Sequence, residues 1–457
     1  MNKKRSAFSG KIGYVLSAAG ASVGLGNIWR FPYLAAKYGG GIFLLVYIIL
    51  ALTFGYTMIV AESALGRMTR KSPVGAFRSF AKGKKVGWLS FGGWINAIIP
   101  VLIVPYYSVI GGWVVKYLFE YIRGNGSKLA EDGYFSGFIS SGGATEICFV
   151  IFCMFTLVII YAGVQNGIER VSKIMMPILI VLSVIIAIYS VTRPGAIEGV
   201  KYFLVPNVKN FSWMTVVAAM GQMFYSLSIA MGILVTFGSY MRKDTSIEDS
   251  TRNVEIFDTA IAMMAGLMII PAVFAFSGGD PDTLQAGPSL MFITIPKVFA
   301  NMGFGTAVGI LFFVLVLFAA VTSSIALTES AVSTFEDELG WGRKKATVLT
   351  GVIMIALGTL SCLGYGPLDF VKIIGMQFLD FFDFLTNSVM MPIAALMTSL
   401  LVSRVIGVDK IEEEIRHGES AFRRKKIFVV MIKYLCPIFA LIILASSVAN
   451  AFGWIVM

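Results

Sequence analysis

Long apolar runs separated by short, charge-rich segments dominate the chain. Eleven of these runs come near the ~20 residues that a helix needs to cross a bilayer: 12–34, 41–65, 89–120, 145–162, 169–192, 211–240, 254–277, 305–334, 346–363, 372–402 and 427–455. Two of them are broken from within. The first contains AGASVGLGNIWRFP (residues 19–32), and the sixth contains GQMFYSLSIAMG (residues 221–232). Unwound backbone at membrane depth is tolerated only where it lines a cavity or finds partners inside the protein. There its free carbonyls can coordinate a cation, and the free amides of the following half-helix can receive an anion. Five spans lead from one break to the other. The pattern therefore predicts one transmembrane domain over 1–457, built from a five-helix repeat (12–192), an inverted second repeat (211–402) and an eleventh helix (427–455). Broken segments at corresponding places in two such halves point to a transporter with its binding sites at the breaks.

Polar residues inside other spans sharpen this picture. Glycine-rich membrane helices are commonly just close-packing surfaces, and a single buried Ser or Glu is commonly a hydrogen-bond buttress. Here Glu62, Asp258, the Thr322-Ser323-Ser324 cluster and Asp383 accompany two breaks. Each is costly in the membrane unless it faces a cavity or partners, so together they mark a pathway.

Composition agrees, with 57% hydrophobic and 14% charged residues and a mean hydropathy of +0.81. A soluble domain is nearer half apolar and a quarter charged. The net charge of +11 does not imply nucleic acid, because 26 of the 37 lysines and arginines fall in alternate connecting segments. That bias predicts a multi-pass plasma-membrane protein with its N-terminus cytoplasmic and its C-terminus extracytoplasmic. The opening MNKKR and the following AAGA imitate a secretory signal, but the intervening apolar run is short and many spans follow, so the segment reads as an uncleaved first helix. Four cysteines without a C-x-x-C pair and a single histidine, His417, offer no material for zinc, haem or Cys-His catalysis. Of the two long outer connections, 121–144 reads as a surface loop and 278–304 as an apolar lid over a cavity mouth.

The motifs resemble those of the neurotransmitter:sodium symporter family, whose best-known bacterial member is a leucine transporter. The resemblance spans almost the whole chain. It rests on AGASVGLGNIWRFPYLAAKYGGGIF, AESALGR, PYYSVIGGW, GQMFYSLS, AGPSLMFITIP, AAVTSSIALTES and FEDELG. It implies an all-α membrane fold, with a core of ten helices in two inverted halves of five and, as in many bacterial members, an eleventh helix.

The resemblance also implies site roles. One sodium ion would be held by the carbonyls of Gly20, Val23 and Ala319 and the hydroxyls of Thr322 and Ser323, an uncharged all-oxygen set suited to a hard cation. A second would use the Ser22 carbonyl, Asn27, Ser226 and Asp258, with the substrate carboxylate completing the shell, so that ion and substrate bind as one unit. The amides of Leu25 and Gly26 with the Tyr107 hydroxyl would hold that carboxylate, and the carbonyls of Ser22, Tyr225 and Ser226 the ammonium. Relatives that carry biogenic amines have aspartate where this chain has Gly24, which favours an amino acid. Ile103, Tyr107, Tyr225, Ser228, Met231, Ser323 and Leu327 would line a side-chain pocket without charge, fitting a neutral, mainly apolar side chain. Ala230, where many relatives have glycine, would narrow it.

Gates are implied as well. Arg30 and Asp383 would close the outer side over an aromatic lid of Tyr107 and Tyr225, and Arg5 and Asp337, with Phe8 and Tyr240, the inner side. Gly167 and Pro177 match a Gly-x₉-Pro pattern at which family members unwind span five. Chloride-dependent relatives surround their anion with groups matched here by Tyr47, Gln222 and Ser226, but Asp258 stands at the asparagine position and Ala262 at a serine position. A fixed carboxylate in place of the anion implies chloride independence, with a proton on Asp258 as an option for the return step. The expected function is sodium-coupled import of a neutral amino acid by alternating access, with no enzymatic activity. The alternatives are a proton-coupled or exchange transporter on the same fold and a nontransporting amino-acid sensor. The sequence leaves the particular amino acid, the stoichiometry and the oligomeric state open.

Overall fold

The computed structural model describes residues 6–81, 87–278 and 287–454. Its first membrane segment, α1, consists of two halves, Lys11–Ser22 and Phe31–Lys37, joined by an unwound stretch and a π-helical turn at Gly26–Arg30. Four uninterrupted segments follow: α2 (Gly41–Thr69), α3 (Gly87–Ile122), α4 (Gly143–Tyr161) and α5 (Val164–Val191). The sixth, α6, is again split, into Trp213–Ser226 and Ile233–Tyr240. Then come α7 (Ile247–Ser277), α8 (Gly305–Leu339), α9 (Arg343–Leu363), α10 (Phe378–Ile406) and α11 (Lys425–Ala451). Nine helices among the described residues are long and apolar enough to cross a membrane, and the two split helices complete the eleven. The architecture is all-α, a 5+5 inverted-repeat core with an added eleventh helix.

Two boundaries depart from the apolar pattern for local reasons. Helix α7 starts seven residues before the apolar run because Ser246 caps it, its hydroxyl accepting the Asp249 amide at 3.0 Å, and polar first turns then lead into the membrane. Helix α10 starts at Phe378 rather than 372 because residues 364–377 are a chain of turns, with Gly375 in the left-handed region.

The split helices sit at the centre. The first half of α1 packs against α5, α7 and α8, and the second half of α6 lies along α2. That last contact is backbone against backbone. A methyl on Gly66 would fall 2.0 Å from the Val235 carbonyl oxygen, and one on Gly238 2.5 Å from that of Ser63. Small residues thus let the two helices touch closely enough to hold a half-helix that is only two turns long.

One end of this core is sealed. Phe8 is buried edge-on against Tyr14, Phe237 and Tyr240, and its amide donates to the Tyr240 carbonyl at 3.1 Å. The Tyr240 hydroxyl donates to the fully buried Glu329 at 2.7 Å, which also binds Arg343 through two N–O contacts of 3.0 and 2.5 Å. At the opposite end, the short helical run Leu290–Ala300 folds inward. Phe292 packs among Trp29, Trp113, Tyr117 and Phe135, and the Tyr117 hydroxyl donates to its carbonyl at 2.8 Å. Lys297 ties this run to the 121–144 connection through Asp132 at 2.5 Å, and that hydrogen bond holds the exposed Asp132 carboxyl below the usual carboxylate range.

Candidate functional site

Helix α1 ends at Ser22 because Val23 turns extended (φ −75°, ψ 93°). Helix α6 ends at Ser226, after which Ser228, Ala230 and Gly232 take left-handed backbone (φ 53°, 60° and 70°). Two of those three carry side chains, and each such residue costs about 1 kcal/mol. The surroundings offset this: the Ala230 amide donates to the buried Glu62 carboxylate at 2.8 Å, and the Ser228 hydroxyl to the Ala21 carbonyl at 3.0 Å. Glu62 thus serves a freed amide at the break, from a different helix.

Glu62→Ala is expected to destabilise the fold by about 2 kcal/mol, because the Ala230 amide would be left buried and unpaired. Glu62→Gln keeps an acceptor and should cost less. Thermal melting of both variants in detergent measures the difference, and equal melting points would contradict this role.

Between the two breaks lies a cavity with ≈340 Å³ of empty space. Its walls include the expected Ser22, Gly24, Leu25, Gly26, Ile103, Tyr107, Tyr225, Ser228, Met231, Ser323 and Leu327, and add Ala21, Asn27 and Ile233. No side chain in the lining carries a charge. Ser226, expected here through its carbonyl, is not part of the cavity lining, and its hydroxyl donates to Asp258 at 2.8 Å. Ala230 does not line it either, because its left-handed turn aims its amide at Glu62. Gly26 approaches the edge of Tyr225 so closely that a methyl there would lie 2.4 Å from the ring. The Leu25 amide and Tyr107 hydroxyl, both expected to meet a carboxylate, lie 3.3 Å apart. The amide donates to the hydroxyl, so the two groups lie side by side at the cavity wall.

Two oxygen-rich clusters flank the cavity. In the first, the Ser323 hydroxyl lies 3.3, 3.1 and 3.3 Å from the carbonyls of Gly20, Ala21 and Val23. Thr322 lies beside them: its hydroxyl is 3.2 Å from the Ala319 carbonyl, and a methyl on Gly20 would sit 3.1 Å from its Cβ. The structure thus gathers Gly20, Val23 and Ser323 of the five groups named for one sodium site, adds Ala21, and sets Thr322 beside Gly20, with its hydroxyl bonded back to the Phe318 and Ala319 carbonyls of its own helix. Ser324 points elsewhere, to the Thr156 hydroxyl on α4 at 3.3 Å.

The second cluster surrounds the fully buried Asp258. Its Oδ1 accepts from Asn27 Nδ2 and from the Ser226 hydroxyl, both at 2.8 Å, and its Oδ2 from the Tyr47 hydroxyl at 2.7 Å. Asn27 Oδ1 accepts the Gly24 amide at 3.2 Å, and Gln222 donates to the Gly26 carbonyl at 3.1 Å. Donors from three helices therefore converge on one carboxylate carried by a fourth. Among the described residues no group of three or more His, Cys, Asp or Glu is placed to hold a metal ion. The hard, mostly neutral oxygens around the cavity suit an alkali cation instead.

Tyr225 also lines a second, larger space of ≈1710 Å³ above the cavity, with Arg30, Tyr106, Asp380, Asp383 and, from α11, Ser446 and Asn450. Arg30 and Asp383 face this vestibule without an ion pair between them. Arg30 lies over the Tyr225 ring at 5.5 Å, while Asp383 accepts from Tyr106 at 3.2 Å and Asn387 at 2.5 Å. The pair expected to latch is therefore apart here, and Tyr225, rather than a Tyr107–Tyr225 stack, partitions cavity from vestibule. At the sealed end Asp337 accepts the Ser72 amide at 2.7 Å; Arg5, its expected partner, lies outside the described residues. The molecule is thus closed on the Phe8 side and hollow on the Arg30 side.

The model of the sodium:neurotransmitter symporter family matches residues 5–127 and 134–453. The chain belongs to that family. It is 34% identical over 447 residues to the uncharacterized sodium-dependent transporter YhdH of Bacillus subtilis (strain 168), covering 96% of this chain and 97% of that protein. An uncharacterized sodium-dependent transporter of Haemophilus influenzae is 32% identical over 458 residues, covering 98% and 99%. The crystal structure of MhsT in complex with L-phenylalanine superimposes with a TM-score of 0.86 at 36% identity, over 97% of this chain and 100% of that one. This family member is thus a multi-pass membrane protein of a sodium-dependent transporter family, and its relatives are transporters, not enzymes.

The sequence reading passed over three residues at or near the site. Tyr106 differs from its neighbour Tyr107 only in facing the vestibule. Asn387 lies one turn after Asp383 and bonds it. Glu329 is a carboxylate inside an apolar span, the same signal that singled out Glu62 and Asp258.

Proposed function

We propose that this protein is a sodium-coupled symporter that imports a neutral, mainly apolar amino acid by alternating access without requiring chloride. The observation that carries this reading is the uncharged cavity between the two helix breaks, with Gly24 where an amine transporter would need a carboxylate. L-Phenylalanine bound to MhsT, a structure this chain closely resembles, supports an amino acid as cargo. The Leu25 and Gly26 amides and Tyr107 hydroxyl would take its carboxylate, and the carbonyls of Ser22, Tyr225 and Ser226 its ammonium. One sodium ion would sit among Gly20, Val23, Ala319, Thr322 and Ser323, and a second among Ser22, Asn27, Ser226 and Asp258.

In this reading the two halves, 12–192 and 211–402, rock against each other around the fixed site. The vestibule faces outward, the Phe8 end faces the cytoplasm, and the conformation is outward-facing. An Arg30–Asp383 latch then closes over Tyr225 once cargo is bound, before Phe8, Tyr240 and the Arg5–Asp337 pair release. A latch that must form and break each cycle should be weak, as partly hydrated ion pairs are.

Purified protein screened against the twenty amino acids, in sodium and in potassium, tests the proposal. Neutral apolar amino acids should bind, and sodium should tighten them about tenfold or more, within the usual range of coupling between sites. Equal binding in both salts would overturn the sodium assignment. Ligand binding without accumulation in proteoliposomes under a sodium gradient would identify a sensor instead.

A further inference from the structure

Beyond the central cavity and its vestibule, two contiguous grooves with ≈850 and ≈770 Å³ of space run along the junction of α4 and α9 on the membrane-facing surface. Tyr161, Val348 and Val352 line both. The walls are apolar and open, Val158 and Val348 being 64% and 63% exposed. One end is different. Lys344 and Lys345 project there, and Trp341 stands beside them. Lys344 lies over the Tyr161 ring at 5.5 Å, and neither lysine has a carboxylate within 4.0 Å among the described residues. Their neighbour Arg343 turns inward, to the Ile160 carbonyl at 2.8 Å and to Glu329.

We propose that this groove binds one anionic glycerophospholipid, with an acyl chain along α4 and α9 and the phosphodiester on Lys344 and Lys345. Charge complementarity selects the occupant. Two unpaired ammonium groups at the mouth of an apolar groove, flanked by aromatic side chains of the interfacial type, match a basic headgroup pocket between membrane helices. A zwitterionic lipid brings its own cation to the lysines and gains less. The helix of a second copy would fill the apolar part but bury both charges without partners, which is costly. The site also has a route inward. The backbone that carries the two lysines is anchored through Arg343 to Glu329, and so to Tyr240 at the sealed end.

The test uses the full-length purified protein in detergent, with phosphatidylglycerol and phosphatidylcholine as probes. Bound lipid is counted by native mass spectrometry, and affinity is read from lipid-dependent thermal stabilisation. The wild type should retain phosphatidylglycerol in preference to phosphatidylcholine. Lys344→Gln/Lys345→Gln should weaken phosphatidylglycerol about tenfold or more, as expected for two basic groups at an anionic surface, and leave phosphatidylcholine unchanged. Val348→Trp, which fills the groove, should weaken both. Equal retention of the two lipids by the wild type, or unchanged phosphatidylglycerol binding in the double lysine variant, would overturn the proposal. So would a dimer that crosslinks through Val348→Cys to the same extent with and without phosphatidylglycerol.

Discussion

Gly24→Ala is expected to weaken sodium-dependent amino-acid binding by about tenfold to a hundredfold, with little loss of folding. The added methyl would lie 2.6 Å from the Ser323 hydroxyl and 3.2 Å from that of Tyr107. Overpacking of this kind costs about 1–3 kcal/mol, and each 1.4 kcal/mol is about tenfold in affinity. Here the strain has an easy outlet. The Ser323 hydroxyl is the end of a short side chain, so it can rotate away, and the fold is spared. That rotation takes its oxygen from the carbonyls of Gly20, Ala21 and Val23, so a substitution on the substrate side would disable the proposed sodium site as well. Binding isotherms in sodium and potassium, beside melting curves, separate the two effects. Gly137→Ala is the control, since a methyl there meets nothing within 4 Å. Wild-type affinity in Gly24→Ala would mean that the cargo does not occupy this corner of the cavity.

The position of Gly24 illustrates what the sequence made legible. The two breaks stand out because glycine, serine and asparagine inside a membrane span are improbable without a local reason, and such composition survives without three-dimensional information. Span count and fold class followed from the same patterning. Residues that act through distant partners were harder to see. Glu62 stands out as a carboxylate inside a span that can serve amides freed at the breaks, but which amide it takes does not: Ala230 is 168 positions away, and nothing near it announces a left-handed turn. The Tyr240–Glu329–Arg343 network joins three segments, and a tyrosine, an intramembrane carboxylate and an arginine at a helix start do not announce one another in the sequence. Arg30 and Asp383 were legible as a pair, but their separation belongs to a conformation, and one sequence encodes every conformation of the cycle.

Asp258→Asn is expected to abolish sodium-driven uptake in chloride-free medium, by about a hundredfold or more, and to make the remaining transport depend on chloride. Three donors, from Asn27, Ser226 and Tyr47, converge on this carboxylate in a fully buried site. The amide has nearly the same shape, but it replaces one acceptor with a donor. A buried donor would then face another donor, at about 1–3 kcal/mol. The larger loss is the fixed negative charge beside a proposed cation site, where the low dielectric makes electrostatic interactions far stronger than in water. Chloride supplies a charge without needing a proton, and the Tyr47 and Ser226 hydroxyls, 3.1 Å apart beside Asp258, would be the donors left to meet it. Uptake into proteoliposomes under a sodium gradient, with gluconate or chloride as the anion, reads both predictions in one experiment. Unchanged transport in gluconate would show that Asp258 does not stand in for an anion, and its three donors would then have to be explained as a structural buttress.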